Sequence, residues 1–306
     1  MNSRIRIRHL EAFVAIAREK QLKRAAEKLG LTQPAISKTL KDLEQILEVT
    51  LMERGRAGIL LSAKGEVFLQ FAEQSIAALN TGVNTISARG PDGSARLSIG
   101  VLPSAAATLL PTASEVFRKT SPNVLLCIEE GPHGYLTNKL RAGALDLVIG
   151  RLGRPASMAG LSFTQLYTET VVIVAAPDHP LAGATHLSEL AGANMIYPAE
   201  ESAIRPLLAR LLIAQGLPLF EDRIESVSGA FGRAMVLGPA RAIWFISKGV
   251  VKGDLDTGRM VQLDIDMRAT TGPVGLMTRS EDVANAPMQM FRNALIKGAK
   301  MTLTNS

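Results

Sequence analysis

The chain reads as an N-terminal, all-α winged helix-turn-helix with a long linker helix, followed by an α/β domain of two lobes. Three features predict this. Two short amphipathic helices meet at a tight turn within residues 22–44. A helical pattern runs unbroken over residues 63–87 and stops at the glycine- and proline-containing ARGPDGSAR. Beyond it, short apolar strands alternate repeatedly with helices. At 306 residues the chain is long enough for two or three hydrophobic cores.

Residues 3–19 open with the basic alternation RIRIRH and pass into a helix that places Leu10, Phe13, Val14 and Ala17 on one face. Arg4, Arg6 and Arg8 are either phosphate contacts or solvated residues ahead of that helix. The next helix carries Leu22, Ala25, Ala26 and Leu29 at three- and four-residue spacing, and Gly30 is placed to end it. Thr32 is a natural cap for a following helix, and Pro34 falls in its first turn, where a missing amide hydrogen costs little. That helix buries Ile36, Leu40 and Leu43 and turns Gln33, Ser37, Lys38 and Lys41 outward. A polar, cationic face without large apolar side chains can approach base edges and phosphates. An ordinary helical hairpin with a solvated lysine face is the alternative, but the turn chemistry and the short helices favour a nucleic-acid reader.

The segment MERGRAGILLSAKGEVF predicts a two-stranded wing. Gly55 and Gly58 permit its turn, residues 59–61 form the return strand, and Ser62 caps the next helix. Arg54 and Arg56 at the wing tip are phosphate candidates, Lys64 a weaker one. In the long helix, Leu69, Ala72, Ile76, Leu79, Val83 and Ile86 are spaced 3, 4, 3, 4 and 3 apart, a heptad seam. Such a seam pairs two copies and spaces two helix-turn-helix units for a roughly palindromic site; packing against its own domain is the alternative. The expected divisions are residues 1–62 for the winged domain, 63–88 for the linker helix, 89–95 for a hinge and 96–306 for the α/β domain.

In the α/β domain the strands are expected to be mostly parallel. Lobe I is expected over about 96–165 and 270–300, and lobe II over about 166–269, because the last strand and helix lack a partner in the second lobe. Two crossings then join the lobes around a cleft that closes on a small molecule. Ser104 and Ser202 are each expected at a helix start, where hydroxyl and free amides suit a carboxylate, with plain capping as the alternative. His133 sits in the loop GPHGY, and Arg151, directly after the strand LDLVIG, offers a permanently charged fork. Arg205 and Arg241 are further candidates that depend on side-chain direction. Trp244, within AIWFIS, reads as core.

Charge is uneven. Residues 1–90 hold 14 Lys+Arg against 9 Asp+Glu, a net of +5, which leaves +1 of the total +6 for the rest. This assigns the polyanion to the N-terminal part. A single cysteine, Cys127, rules out an internal disulfide and any all-cysteine metal site. No apolar run is long enough to span a membrane and no signal peptide opens the chain, so the expected location is the cytoplasm. The histidines lack close metal-ligand spacing, and neither a phosphate-cradling GxxxxGK[ST] nor a GxSxG nucleophile elbow occurs. The reading is therefore a non-enzymatic regulator without metal or cofactor.

The stretches RHLEAFVAIAREKQLKRAAEKLGLTQPAISKTLKDLE and LEVTLMERG, the long helix and the domain opening LSIGVLPS together resemble the LysR-type transcriptional regulators over essentially the full length. The resemblance implies a periplasmic-binding-protein-like effector domain and a dimer or tetramer that bends promoter DNA. Its implied partners are double-stranded DNA, a small-molecule effector, further copies of the chain and RNA polymerase, with no membrane. It also implies that Thr32, Gln33, Pro34, Ser37 and Lys38 lie at or near DNA and that Ser104 and Ser202 contact the effector. Gln21, where the family more often has a small polar cap, and Met52, where it has phenylalanine, are departures that leave the fold intact. The segments EEGPHGYLTNKLRAGALDLVIGRL and TTGPVGLMTR are similar to the subgroup of the protocatechuate-catabolism activator and the galactose-binding-protein regulator. The arginines lean toward an anionic, carboxylate effector. A sugar-responsive regulator, or a binding module whose N-terminal arm serves protein contacts, are the alternatives.

Overall fold

The computed structural model describes residues 4–55, 58–87, 95–220, 222–280, 282 and 284–304, which fall into an N-terminal and a C-terminal unit. In the first, α1 (Ile7–Glu19), α2 (Leu22–Leu29) and α3 (Gln33–Leu47) enclose a core of Phe13, Ile16, Ala25, Ile36 and Leu43. The helices end and begin where local chemistry requires. Gly30 closes α2 with a left-handed φ of 65°, and Thr32 Oγ1 accepts from Ala35 N at 3.4 Å to cap α3. The antiparallel wing, β1 (Met52–Gly55) and β2 (Gly58–Leu61), folds back beside the α1–α2 turn, where Ile59 N donates to Lys20 O at 3.0 Å. Gly58, at φ 120°, is needed there, because a Cβ would stand 2.6 Å from that same carbonyl oxygen.

The linker helix α4 (Ala63–Ser87) is capped by Ser62, whose Oγ accepts from Gly65 N at 3.0 Å. Its seam divides. Ala72 is buried in the helix-turn-helix core, Leu69 and Ile76 pack against it, and Phe13 meets Phe68 edge-on at 5.3 Å. Leu79 and Val83 remain 49% and 51% exposed. The expectation of one continuous intermolecular seam is therefore corrected for its first half. A core in the same chain covers those residues without the translational entropy that pairing costs. Arg56, residues 89–94 and the side chains of Arg54 and Ile86 lie outside the described residues.

The C-terminal unit contains β3 (Ala95–Val101), α5 (Pro103–Ala107), α6 (Leu109–Thr120), β4 (Val124–Glu130), α7 (His133–Arg141), β5 (Leu147–Arg151), β6 (Leu161–Glu169), β7 (Val171–Ala175), β8 (Met195–Tyr197), α8 (Arg205–Ala214), β9 (Arg223–Glu225), α9 (Gly229–Leu237), β10 (Ile243–Ser247), α10 (Lys248–Asp256), β11 (Val261–Gln262), β12 (Gly272–Arg279) and α11 (Ala286–Thr304). One sheet has the order β4-β3-β5-β12-β6, the other β11-β7-β10-β8-β9. Each is mixed. β4, β3 and β5 run parallel, as do β10, β8 and β9, while β12 is antiparallel to both β5 and β6, and β7 to both β10 and β11.

The expectation of mostly parallel strands is corrected, and the reason is the crossings. Strands that pass directly from one sheet to the other have no crossover helix to reset their direction. The division between lobes also moves: Leu161–Glu169 pairs with β12 in the first sheet, so the chain leaves lobe I at Thr170, not near residue 166. The helical stretch after β3 breaks at Thr108 into α5 and α6, and α10 follows β10 directly.

The cores lie on the sheet faces. In lobe I, Leu97, Ile99 and Val101 pack with Leu109, Phe117, Phe291 and Leu295, and Phe117 meets Phe291 edge-on at 5.2 Å. In lobe II, Trp244, Val172 and Val236 fill one face and Tyr197, Phe245 and Leu208 the other. Phe291→Ala is expected to cost about 3–5 kcal/mol by urea unfolding followed by circular dichroism, and a cost below about 1 kcal/mol would remove that ring pair from the core.

Candidate nucleic-acid interface and interlobe cleft

The outward face of α3 is polar and cationic. Gln33, Pro34, Lys38 and Lys41 are exposed and Ser37 is half-buried, because Ile36, Leu40 and Leu43 occupy the opposite side. Pro34, Ser37, Lys38 and Lys41 line an open groove of about 830 Å³ whose far end carries Asp42, Glu44 and Glu48. Neither lysine is in an ion pair among the described residues, so both charges are available to phosphates. The acidic far end confines that attraction to the first turns of the helix.

Glu44 does a separate job that sequence reading missed. Its Oε1 accepts from Leu51 N at 2.7 Å and from Met52 N at 3.1 Å, and Ser62 Oγ donates to Thr50 O at 2.7 Å. The base of the wing is thus tied to α3 by a side chain of α3 itself. A carboxylate at position i followed by a tight turn was the only available signal.

In the C-terminal unit a cleft of about 910 Å³ opens between the sheets. Lobe I contributes His133, Tyr135, Asn138, Arg154 and Ser157; lobe II contributes Glu200, Glu201, Ser202, Pro206 and Arg210. Arg151, Thr271 and Gly272 form the floor. His133 is the first residue of α7, buried, with its ring against Gly153: a Cβ there would lie 2.4 Å from Cε1. Tyr135 is held at the rim by its hydroxyl, which donates to Glu129 at 2.5 Å, while Lys139 Nζ donates to both Glu129 oxygens at 2.7 Å. Those bonds, Lys139 first, hold the Glu129 carboxyl below its ordinary pKa.

The cleft gathers three of the six expected residues, His133, Arg151 and Ser202, and leaves out three. Ser202 is not at a helix start, since α8 begins at Arg205 and, among the described residues, the Ser202 Oγ accepts only a 3.5 Å bond from Ile204 N. Ser104 is buried in α5 and faces Glu169 instead of the cleft. Arg205 Nη1 donates to Pro198 O at 2.7 Å and to Glu225 at 2.9 Å, with the guanidinium 4.6 Å above the Tyr197 ring. Arg241, at φ 45°, pairs with Asp178 at 2.8 Å. Ser104, Arg205 and Arg241 fall outside the cleft for one reason: a residue's place in the sequence does not settle its side-chain direction. Arg210 is legible only once the phase of α8 is known, with Leu208, Leu211 and Leu212 inward and Pro206, Leu207 and Arg210 on the cleft side.

Arg151 is 4% exposed. Nη1 donates to Thr270 O at 3.2 Å and Nη2 to Glu169 O at 2.8 Å, one carbonyl from each crossing. The fork expected to hold a ligand carboxylate is committed mainly to the protein's own backbone, and burial pulls its pKa down against the opposing pull of Glu169. Glu169, 7% exposed, has its pKa raised by burial, with Arg151 opposing.

Residues 91–300 match the model of the LysR substrate binding domain, and residues 7–66 that of the bacterial regulatory helix-turn-helix protein, lysR family. The chain is 38% identical over 301 residues to the HTH-type transcriptional regulator PcaQ of Agrobacterium fabrum, covering 98% of this chain and 96% of that protein. It is 33% identical over 297 residues to the uncharacterized HTH-type transcriptional regulator YdcI of Escherichia coli K12, covering 97% and 96%. Among solved structures, an OxyR mutant of Corynebacterium glutamicum is similar in fold, with a TM-score of 0.56 at 23% identity over 98% of this chain and 93% of that one.

Glu44→Ala leaves two amides at the wing base without their acceptor and is expected to lower stability by about 1–3 kcal/mol in thermal melts. Glu44→Gln, which keeps an acceptor oxygen, should recover most of that loss; equal losses in the two variants would show that the oxygen is not what holds the wing.

Proposed function

Because the chain belongs to the LysR family of bacterial helix-turn-helix regulators, we propose that it is a homo-oligomeric transcription regulator whose interlobe cleft binds a small carboxylate. By family it is a DNA-binding, effector-responsive transcriptional regulator. The observation that carries the carboxylate reading is the pair of exposed arginines on opposite walls of the cleft, Arg154 on lobe I and Arg210 on lobe II. An anion held by both draws the lobes together, which is the differential binding that a population shift requires. His133, Ser202 and the edge of Arg151 supply polar contacts beneath it, and Glu200 and Glu201 repel any ligand that presents its charge to the wrong wall. The subgroup resemblance in the sequence agrees with this chemistry.

On the DNA side, Gln33, Pro34, Ser37, Lys38 and Lys41 meet the major groove and its flanking phosphates, with Thr32 dividing its role between cap and contact. Arg54 and Arg56 are the further phosphate candidates. Leu79 and Val83, exposed on α4, are the residues through which a second copy joins. Two copies present two α3 helices to one operator, and RNA polymerase is the further partner at the promoter.

Lys38→Ala should weaken binding to cognate and random duplex alike and lower the slope of log Kd against log salt by about one. An unchanged slope in anisotropy titrations would sink the phosphate assignment. For the cleft, a thermal-shift screen of ring-cleavage di- and tricarboxylates against sugars is expected to give a response to acids alone. Arg154→Ala and Arg210→Ala should each weaken that response about tenfold. A response confined to sugars would overturn the carboxylate reading in favour of the carboxylates of Glu200 and Glu201 accepting ligand hydroxyls.

A further inference from the structure

Helix α10 of lobe II is capped by a residue of lobe I. Its own N-cap, Ser247, makes no side-chain cap hydrogen bond, so the amides of its first turn are left to other acceptors. The acceptor for Gly249 N is Glu169 Oε1, at 3.0 Å in a buried contact. Glu169 is the last residue of β6, the lobe I strand that enters the first crossing. The bond therefore joins the lobes directly.

The surroundings enforce this geometry. Gly249 stands so close that a Cβ would be 2.5 Å from Glu169 Oε1 and 3.1 Å from Ser104 O, so α10 and α5 meet through a residue with no side chain. Burial raises the Glu169 pKa, and Arg151, the Ser104 hydroxyl from lobe I and the Ser247 hydroxyl from lobe II oppose it, so both lobes bond the same carboxyl group. The backbone carbonyl of Glu169 is meanwhile held by Arg151 Nη2 at 2.8 Å, which leaves the side chain little freedom to follow a moving helix. An acceptor oxygen at a helix N-terminus also satisfies an amide that the helix leaves open, so its loss leaves that amide buried and unpaired.

We propose that Glu169 is the latch that sets the angle between the lobes: rotation of lobe II strips the α10 amide of its acceptor, so the unliganded domain is held at one discrete setting until a ligand supplies the energy to leave it. Glu169 is thus a positioning residue, acting on the cleft without lining it. The regulatory meaning rests on the effector reading above; the latch itself does not.

The test measures the interlobe distance in the full chain without ligand. Nitroxides are placed on Lys119→Cys in lobe I and Ile213→Cys in lobe II, in a Cys127→Ser background diluted with unlabelled protein, and read by pulsed electron-electron resonance. Glu169→Ala is expected to broaden the distance distribution about twofold, and Glu169→Gln, which keeps an acceptor for Gly249 N, to restore the narrow one. Should Glu169→Ala fail to fold, Gly249→Ala takes its place, since its methyl drives the carboxylate away and should broaden the distribution likewise. A distribution as narrow as the parent's in the folded variant, or one that Gln does not narrow, overturns the latch. Absence of any ligand response in the parent retires the effector reading and leaves the distance result standing.

Discussion

Arg151 holds the two crossings of the C-terminal unit together by giving one terminal nitrogen to Thr270 O and the other to Glu169 O, and the cleft exists in its present form because of that clamp. Around it, Val171 N donates to Thr270 Oγ1 at 3.1 Å, and the hydroxyls of Thr170 and Thr271 lie 2.7 Å apart. Two lobes with separate cores are joined by only two strands of chain, and these bonds brace both of them where they cross. A buried guanidinium is costly unless it is paired, and here two of its donors go to the protein's own carbonyls while the Glu169 carboxylate lies 3.7 Å from Nη2. The same commitment makes Arg151 a weak competitor for a ligand carboxylate, which is why the proposed contacts fall to the exposed arginines on either wall.

The N-terminal unit follows a related rule at smaller scale. Where two segments must keep a fixed relation, a carboxylate of one accepts backbone amides of the other: Glu44 does so for the wing, as Glu169 does for α10. In both places the side chain replaces an acceptor that regular secondary structure does not provide at its ends. The rigidity of α3 against the wing matters because phosphate contacts position the reader, and a reader that shifts loses its register on the bases.

What was legible in the chain depended on periodicity and on turn chemistry. Leu22, Ala25, Ala26 and Leu29 mark α2 by spacing alone, and Gly30, Thr32, Pro34 and Ser62 mark ends by their backbone preferences. These signals are local, so tertiary context did not change them. The cleft was less legible. Ser104, Arg205 and Arg241 are candidates by residue type and place in the sequence, yet each is turned to a partner inside its own lobe. Arg154 and Arg210 drew no attention, because a lone arginine on a loop or helix looks like any solvated residue until the opposite wall is known. Glu169 gave the weakest signal of all, a single charge at the end of a half-polar strand.

The order of helices and strands, the winged N-terminal domain, the outward lysines of α3 and the two-lobed α/β plan were determined by the amino-acid sequence, since each depends on residues within a few positions of one another. Tertiary structure alone decided which half of the α4 seam is already covered, where the chain crosses between sheets, and which arginines face the cleft. It also decided that the α10 amide is satisfied from the opposite lobe. These outcomes depend on residues brought together from distant parts of the chain, and on a choice among side-chain directions that spacing along the sequence leaves open.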